Sequence, residues 1–140
     1  MVYNVFLDTN ILVDFFLDDR SGHADAVALI DAADKQLLNI CFSESVINTT
    51  VYLTRKTIYV DMFKKAMLEL NSFIKVLLCT NSIVEDAYFN AKNDLEDSVL
   101  YQIALAGKVD YFITSNIKDF KKLEKHSLPV LTAAELIKII

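Results

Sequence analysis

The sequence predicts an α/β fold, a parallel sheet with helices on both faces, and three observations lead there. Short runs of β-branched and aromatic residues alternate with segments of helical spacing along the whole chain. Only two glycines and one proline interrupt the 140 residues, so connections are short and regular elements many. Near the start, the apolar run Val5-Phe6-Leu7 ends in Asp8 and passes through Thr9-Asn10 into Ile11-Leu12-Val13. A buried strand that ends in a carboxylate and turns into a helix puts that carboxylate at the carboxyl end of the strand, where open α/β sheets hold their ligands.

The elements follow in order. Residues 2–8 read as a buried strand, and Asn10 can cap a helix through about Leu17. Asp18 to Gly22 is a polar break. From His23 to about Lys35, Ala24, Val27, Ala28, Ile30 and Ala32 give a largely helical spacing. Leu37 to Phe42 is a second strand. Ser43 opens a helix with an apolar face of Val46, Ile47, Thr50, Val51 and Leu53, and a further helix runs from Tyr59 to Phe73. Lys75 to Cys79 is a third strand. Ser82-x-x-Glu85 matches a capping box for the next helix. Asp94 can cap a helix from Leu95 to about Ala106, ended by Gly107. Tyr111 to Thr114 is a fourth strand, Asn116 opens a short helical turn, and Pro129 to Leu131 is a fifth strand. Thr132-x-x-Glu135 is a second capping-box match, starting a last helix. No repeat or linker appears, so one domain is expected over residues 1–140.

Composition narrows the class. Apolar residues make up 54% of the chain and charged residues 24%, the balance of a globular protein with a sizeable core. No apolar run approaches the roughly 20 residues of a membrane span. The first residues show neither a basic region nor a small-residue cleavage pattern, so no signal peptide is expected. Cys41 and Cys79 sit in strand-like apolar segments and read as buried free thiols of a cytoplasmic protein. The net charge of −5 argues against broad non-specific nucleic-acid binding, yet it leaves room for an acidic metal site that acts as its own charge sink. His23 and His126 fall in polar segments and suggest no nucleophile–base pair. Gly22 and Gly107 stand alone, so there is no phosphate-cradling loop.

Three places converge if the sheet is parallel: Asp8 after the first strand, Asp94-Leu95-Glu96-Asp97 ahead of the fourth, and Thr114-Ser115-Asn116-x-x-Asp119 after it. Taken alone, Asp94-x-x-Asp97 is an ordinary acidic helix start, and Asn116 an ordinary cap. Together, carboxylates this close would repel one another and raise each other's pKa. A divalent cation relieves that repulsion, and oxygen-only ligation suits Mg²⁺ or Mn²⁺. Such a metal can activate water and stabilise charge on a phosphodiester.

With these residues in place, the chain resembles the PIN-domain family, which includes the VapC-type toxin ribonucleases of prokaryotic toxin–antitoxin pairs. The matching segments are Val5 to Leu12, Asp94 to Ser98, Asp110 to Phe120, and the ending Pro129 to Leu136, so the likeness covers essentially the whole chain. It implies a three-layer α/β/α fold with a parallel sheet of about five strands. It also implies metal-dependent cleavage of RNA, in single strands or loops, by a metal-activated water. Carried over by position, Asp8 and Asp97 are the principal ligands of Mg²⁺ or Mn²⁺, with Asp94 as an added ligand or a cap. Asn116 completes the catalytic set, Thr114 and Asn10 brace it, and Asp119 contributes through water. An antitoxin-like protein and a second copy of the chain are the implied partners. Arg20, Arg55 and Lys56 are the cations expected to hold phosphates, with Lys118, Lys121 and Lys122 also available.

One departure counts against cleavage. The family commonly carries a Glu on the helix after the second strand, and here that position is Thr49, between Asn48 and Thr50. With Asn116 also standing where an Asp is common, two anionic ligands are lost. The alternative is therefore a PIN-like domain that binds nucleic acid or a protein without cutting. A strand ending in Asp also occurs in haloacid-dehalogenase-like phosphatases, but those carry a second Asp two residues on, where this chain has Asn10.

Overall fold

Each strand of the sheet is a short apolar run, and its place follows from how completely it is buried. The computed structural model describes residues 1–140. In chain order the elements are β1 (Asn4–Leu7), α1 (Thr9–Phe16), α2 (His23–Asp34), β2 (Asn39–Ser43), α3 (Glu44–Thr54), α4 (Val60–Leu70), β3 (Ile74–Leu77), α5 (Asn81–Asn90), α6 (Leu95–Ala106), β4 (Tyr111–Ile113), α7 (Ile117–Lys121), β5 (Val130–Leu131) and α8 (Ala133–Ile137). All pairings are parallel, and the strand order is β3-β2-β1-β4-β5.

β1 is the centre: Val5 lies opposite Ile40 of β2 and Tyr111 of β4, and Val5, Phe6 and Leu7 are fully buried. β3 is an edge, and its Lys75 and Val76 are exposed. A charged side chain on a short edge strand discourages pairing with other chains. From β1 the chain builds outward through β2 and β3, then returns to build outward the other way through β4 and β5. The reversal falls between β1 and β4, and a crevice opens at such a switch point beyond the carboxyl ends of the strands.

Helices α1, α2, α3 and α8 form one packed group and α5 and α6 another, which gives the three-layer α/β/α architecture. The core between them is aromatic at its middle. Phe6 stacks on Phe112 at 5.3 Å, and Phe112 meets Phe120 at 4.5 Å. Tyr101 is buried with them, and its hydroxyl donates to the Leu128 carbonyl at 2.6 Å while accepting the Lys125 N–H at 2.8 Å. No helix is long and apolar enough to cross a membrane.

Several local expectations are corrected. Helix α1 begins at Thr9 and not after Asn10: Asp8 is its N-cap, and its carboxylate accepts the Thr9 N–H at 2.7 Å. Asn10 lies within the first turn. Helix α5 is capped by Thr80, whose hydroxyl accepts from the Ile83 N–H, so Ser82 and Glu85 form no capping box. The box at Thr132 and Glu135 is present with both bonds made. Ser43 caps α3 as expected. Gly107 does end α6, but its φ is −75° and the left-handed residue is Lys108. A Cβ there would come within 2.7 Å of the tip of the Leu77 side chain, which would have to swing aside for a larger residue. Cys41 is buried, whereas Cys79 is exposed because β3 ends at Leu77 and the chain leaves the sheet before reaching it.

Candidate active site

Asp8 ends the central strand, and its N–H still belongs to the sheet, donating to the Ile113 carbonyl at 2.9 Å. Its side chain is only 4% exposed. One carboxylate oxygen accepts the Thr9 N–H, and the other accepts the Thr114 hydroxyl at 2.8 Å. That second bond crosses from the end of β1 to the end of β4, the two strands that flank the switch point. The Thr114 hydroxyl in turn accepts the Asn116 N–H at 2.9 Å, so its proton is committed to Asp8.

Neutral donors do not offset the burial of this carboxyl. Desolvation, opposed by the two hydrogen bonds and reinforced by the negative charges of Asp97 and Glu96, pushes the Asp8 pKa from 3.8 up to about 6. Asp97, in the first turn of α6, is held above the ordinary carboxylate range as well, by desolvation and then by Asp119, Glu96 and Asp94. The ion pairs of the molecule lie elsewhere, at Arg20–Asp14, Lys35–Asp31 and Lys121–Glu124. Asp8 and Asp97 are thus acids under mutual repulsion with no cation paired to either.

Asp94, Asp97 and Asp119 share a cleft of about 610 Å³ with Lys92 and Lys122. Asp8 does not line it; the link is the charge of Asp97, which reaches Asp8 behind the cleft and helps to raise its pKa. Asp94 stands at the N-cap of α6 but makes no side-chain bond to the helix; its carboxylate accepts the Lys92 backbone N–H at 3.2 Å instead. The Asn116 amide donates to Asp119 at 2.9 Å, which fixes both side chains. Asn10 makes no side-chain hydrogen bond to these groups. No three of the His, Cys, Asp and Glu side chains gather closely enough to enclose a cation by themselves. The donors are nevertheless all hard oxygen ligands, and Mg²⁺ is commonly held by one or two carboxylates with water filling the remaining positions.

Thr49 is half-buried on α3, and its neighbour Thr50 spends its hydroxyl on the Val46 carbonyl. The one acid of α3, Glu44, is exposed at the start of the helix, so α3 adds no carboxylate to the cleft.

The three cations expected to hold phosphates stand apart from the cleft. Arg20 is bound at 2.6 Å to Asp14, which is buried. The Arg55 guanidinium lies 3.8 Å over the Tyr52 ring and donates to the Tyr52 carbonyl, and Lys56 is exposed beside it. Lys121 is paired with Glu124. The lysines that do line the cleft are Lys122 and Lys92, and the motif reading gave Lys92 no part. Its signal was position alone, two residues ahead of Asp94. A second hollow of about 540 Å³ opens at the amino ends of the strands, beside Asn4, Asn39 and Lys75. It holds no carboxylate, so it offers a divalent cation no anionic oxygen ligand.

Comparison with known proteins bears on this geometry. A family model described as a PIN domain matches residues 4–118. No curated protein matches the chain in sequence. Among solved structures, VapBC2 from Rickettsia felis, bound to a DNA fragment from its promoter, aligns with a TM-score of 0.65 at 17% identity, covering 92% of this chain and 98% of that one. VapC20 from Mycobacterium tuberculosis, described as a Sarcin-Ricin loop cleaving toxin, aligns at 0.63 with 14% identity over 82% of this chain and 93% of its own. A toxin–antitoxin complex from Klebsiella pneumoniae aligns at 0.64 with 21% identity over 92% and 97%. At these identities the likeness is one of fold.

Proposed function

The chain belongs to the PIN-domain family, and from that premise we propose that it is a metal-dependent endoribonuclease, the toxin-like member of a toxin–antitoxin pair, acting on single-stranded or looped RNA in the cytoplasm. The observation that carries the reading is Asp8: a buried carboxylate at the switch point, clamped by Thr114, raised to about 6, and facing the charge of Asp97 with no cation beside it. Its hydrogen bonds to Thr9 and Thr114 do not make up for the burial of the charge, which is the mark of a group kept for chemistry.

Asp8 and Asp97 would hold Mg²⁺ or Mn²⁺, with Asp94 close enough to add to the same field. A divalent cation bound there supplies charge neutralisation and Lewis acidity at a phosphodiester. Thr114 holds Asp8 in a single orientation, and Asn116 holds Asp119 ready to orient water at the rim of the cleft. Desolvation of Asp8 strengthens its attraction for any cation that enters. The antitoxin partner rests on family membership and on the toxin–antitoxin complexes that share the fold. The same membership supports a homodimer.

The test is cleavage of RNA with Mn²⁺ or Mg²⁺ by the wild type, Asp8→Asn and Asp97→Asn. The wild type should cut and both variants should lose at least about a hundredfold in rate, since each removes a charge from the metal-holding pair. Equal activity in all three would place the cutting elsewhere.

A second reading is favoured by Thr49 and by the absence of a closed three-acid cluster: a PIN domain that binds nucleic acid or a protein without cutting. Calorimetric titration with Mn²⁺ separates the two. Millimolar or absent binding supports the second reading, and restoration of tight binding by Thr49→Glu would locate the missing ligand.

A further inference from the structure

We propose that Lys92 and Lys122 are the residues that position the RNA strand, each holding a backbone phosphate on either side of the one presented to Asp97. The inference rests on the ribonuclease reading and deepens it. A polyanion cannot approach Asp94, Asp97 and Asp119 unaided, because like charges in one cleft repel. Within that cleft the three carboxylates outnumber the two ammonium groups by one charge. A divalent cation would turn the balance positive and make the cleft attractive to phosphate.

The two lysines are available for the task. Both are exposed, and neither is among the ion pairs of the molecule, although carboxylates share the cleft with them. They reach the cleft from different elements. Lys92 lies in the turn between α5 and α6, and Lys122 caps the end of α7. Their backbones are fixed. The Lys92 N–H is bonded to Asp94, and the Lys122 N–H closes α7 on the Phe120 carbonyl. Asn90 and Asn93 line the same cleft and offer amides to a sugar or base edge beyond the phosphates. The other cations named from the sequence are spent or remote: Arg20 on Asp14, Arg55 on Tyr52 and Lys121 on Glu124.

The experiment uses a fluorescein-labelled single-stranded oligouridylate, bound to the wild-type protein with Ca²⁺ in place of Mn²⁺, so that the acids keep a divalent cation while cutting is suppressed, across roughly 50 to 200 mM salt. Lys92→Gln/Lys122→Gln under the same conditions should lower the slope of log affinity against log salt by about 1.4, since each lost contact to a single strand removes about 0.7. In the cleaving wild type, the same pair of changes should raise KM about tenfold with kcat nearly unchanged, the sign of lost binding shared by ground and transition states. A thermal melt matching the parent confirms the fold, as expected for two exposed sites.

An unchanged slope in the lysine pair, with a flattened one in Arg55→Gln/Lys56→Gln, overturns the placement and leaves the ribonuclease reading standing. A fall in kcat at constant KM also overturns it, because the lysines would then act by tuning the acids. A parent that neither binds the RNA nor cuts it removes both the placement and the reading beneath it.

Discussion

Replacing Asp8 with Asn should make the metal-free protein more stable at neutral pH, and only there. The side chain is buried, and its folded pKa is about 6 against 3.8 for the free group. Below pH 3.8 the carboxyl is neutral in both states. As pH rises from there to about 6, the unfolded chain gives up its proton while the folded one keeps it. The unfolded state then binds fewer protons, and stability falls with pH. Two pH units and a little more, at about 1.4 kcal/mol each, come to a loss on the order of 3 kcal/mol by pH 7. Asn escapes that loss. It can still accept the Thr9 N–H and face the Thr114 hydroxyl with its amide, at a cost of about 1 kcal/mol in hydrogen-bond quality. The net gain at pH 7.5 is therefore about 2 kcal/mol, shrinking to nothing or reversing near pH 4. Urea denaturation in EDTA at pH 4, 5, 6 and 7.5, followed by circular dichroism, measures the difference directly. A difference between the proteins that stays flat across this range would refute the reasoning. So would a wild type that gains on the variant as pH rises, since Asp8 would then be ionised and well paired. Adding Mn²⁺ at pH 7.5 should stabilise the wild type and leave Asp8→Asn unmoved.

Other consequences are open to simpler checks. Thr114→Val removes the donor that lowers the Asp8 pKa, so the acid limb of the cleavage–pH profile should move to higher pH; an unmoved limb would mean that Asp8 does not govern it. Gly22→Ala would set a Cβ 2.2 Å from the Asp14 carboxylate, and the displaced ion pair should cost about 1–3 kcal/mol in urea unfolding. Ser98 has the one buried side-chain oxygen without a hydrogen-bond partner, so Ser98→Ala should stabilise by about 1 kcal/mol, seen as a raised Tm. Burial pushes the Cys41 thiol up to about 12, while Cys79 is exposed. Iodoacetamide at neutral pH should therefore leave a single adduct, at Cys79, by mass spectrometry of the native protein.

What could be read in the sequence was whatever has a local signature. Val5-Phe6-Leu7-Asp8 announces a buried strand and its terminal carboxylate because a period-free apolar run ending in charge has few other homes. The α6 start at Leu95 was legible because Asp94 and Asp97 frame it and Gly107 ends it. The caps of α1 and α5 each fall two residues ahead of the expected ones, because several polar side chains compete there. Only the direction in which the strand delivers the chain decides that Asp8 wins over Asn10, and Thr80 over Ser82. Arg20 looked free because its partner, Asp14, is six residues away and off the helical spacing at which ion pairs are usually sought. Lys92 was invisible as a site residue, since nothing but the folding of the α5–α6 turn against α7 brings it to the same cleft as Lys122.

The bond between Thr114 and Asp8 joins residues 106 positions apart. Because β4 is the neighbour of β1, the clamp on Asp8 cannot exist until the chain has been synthesised through Thr114. Pairing across so long a separation is slow to form, because the entropy of closing the loop is lost before any contact repays it. A chain halted by premature termination before β4 would carry Asp8 with its clamp missing. For a protein whose proposed activity endangers the cell that makes it, a site that needs both strands leaves an interval in which the growing chain is present and cannot yet cut.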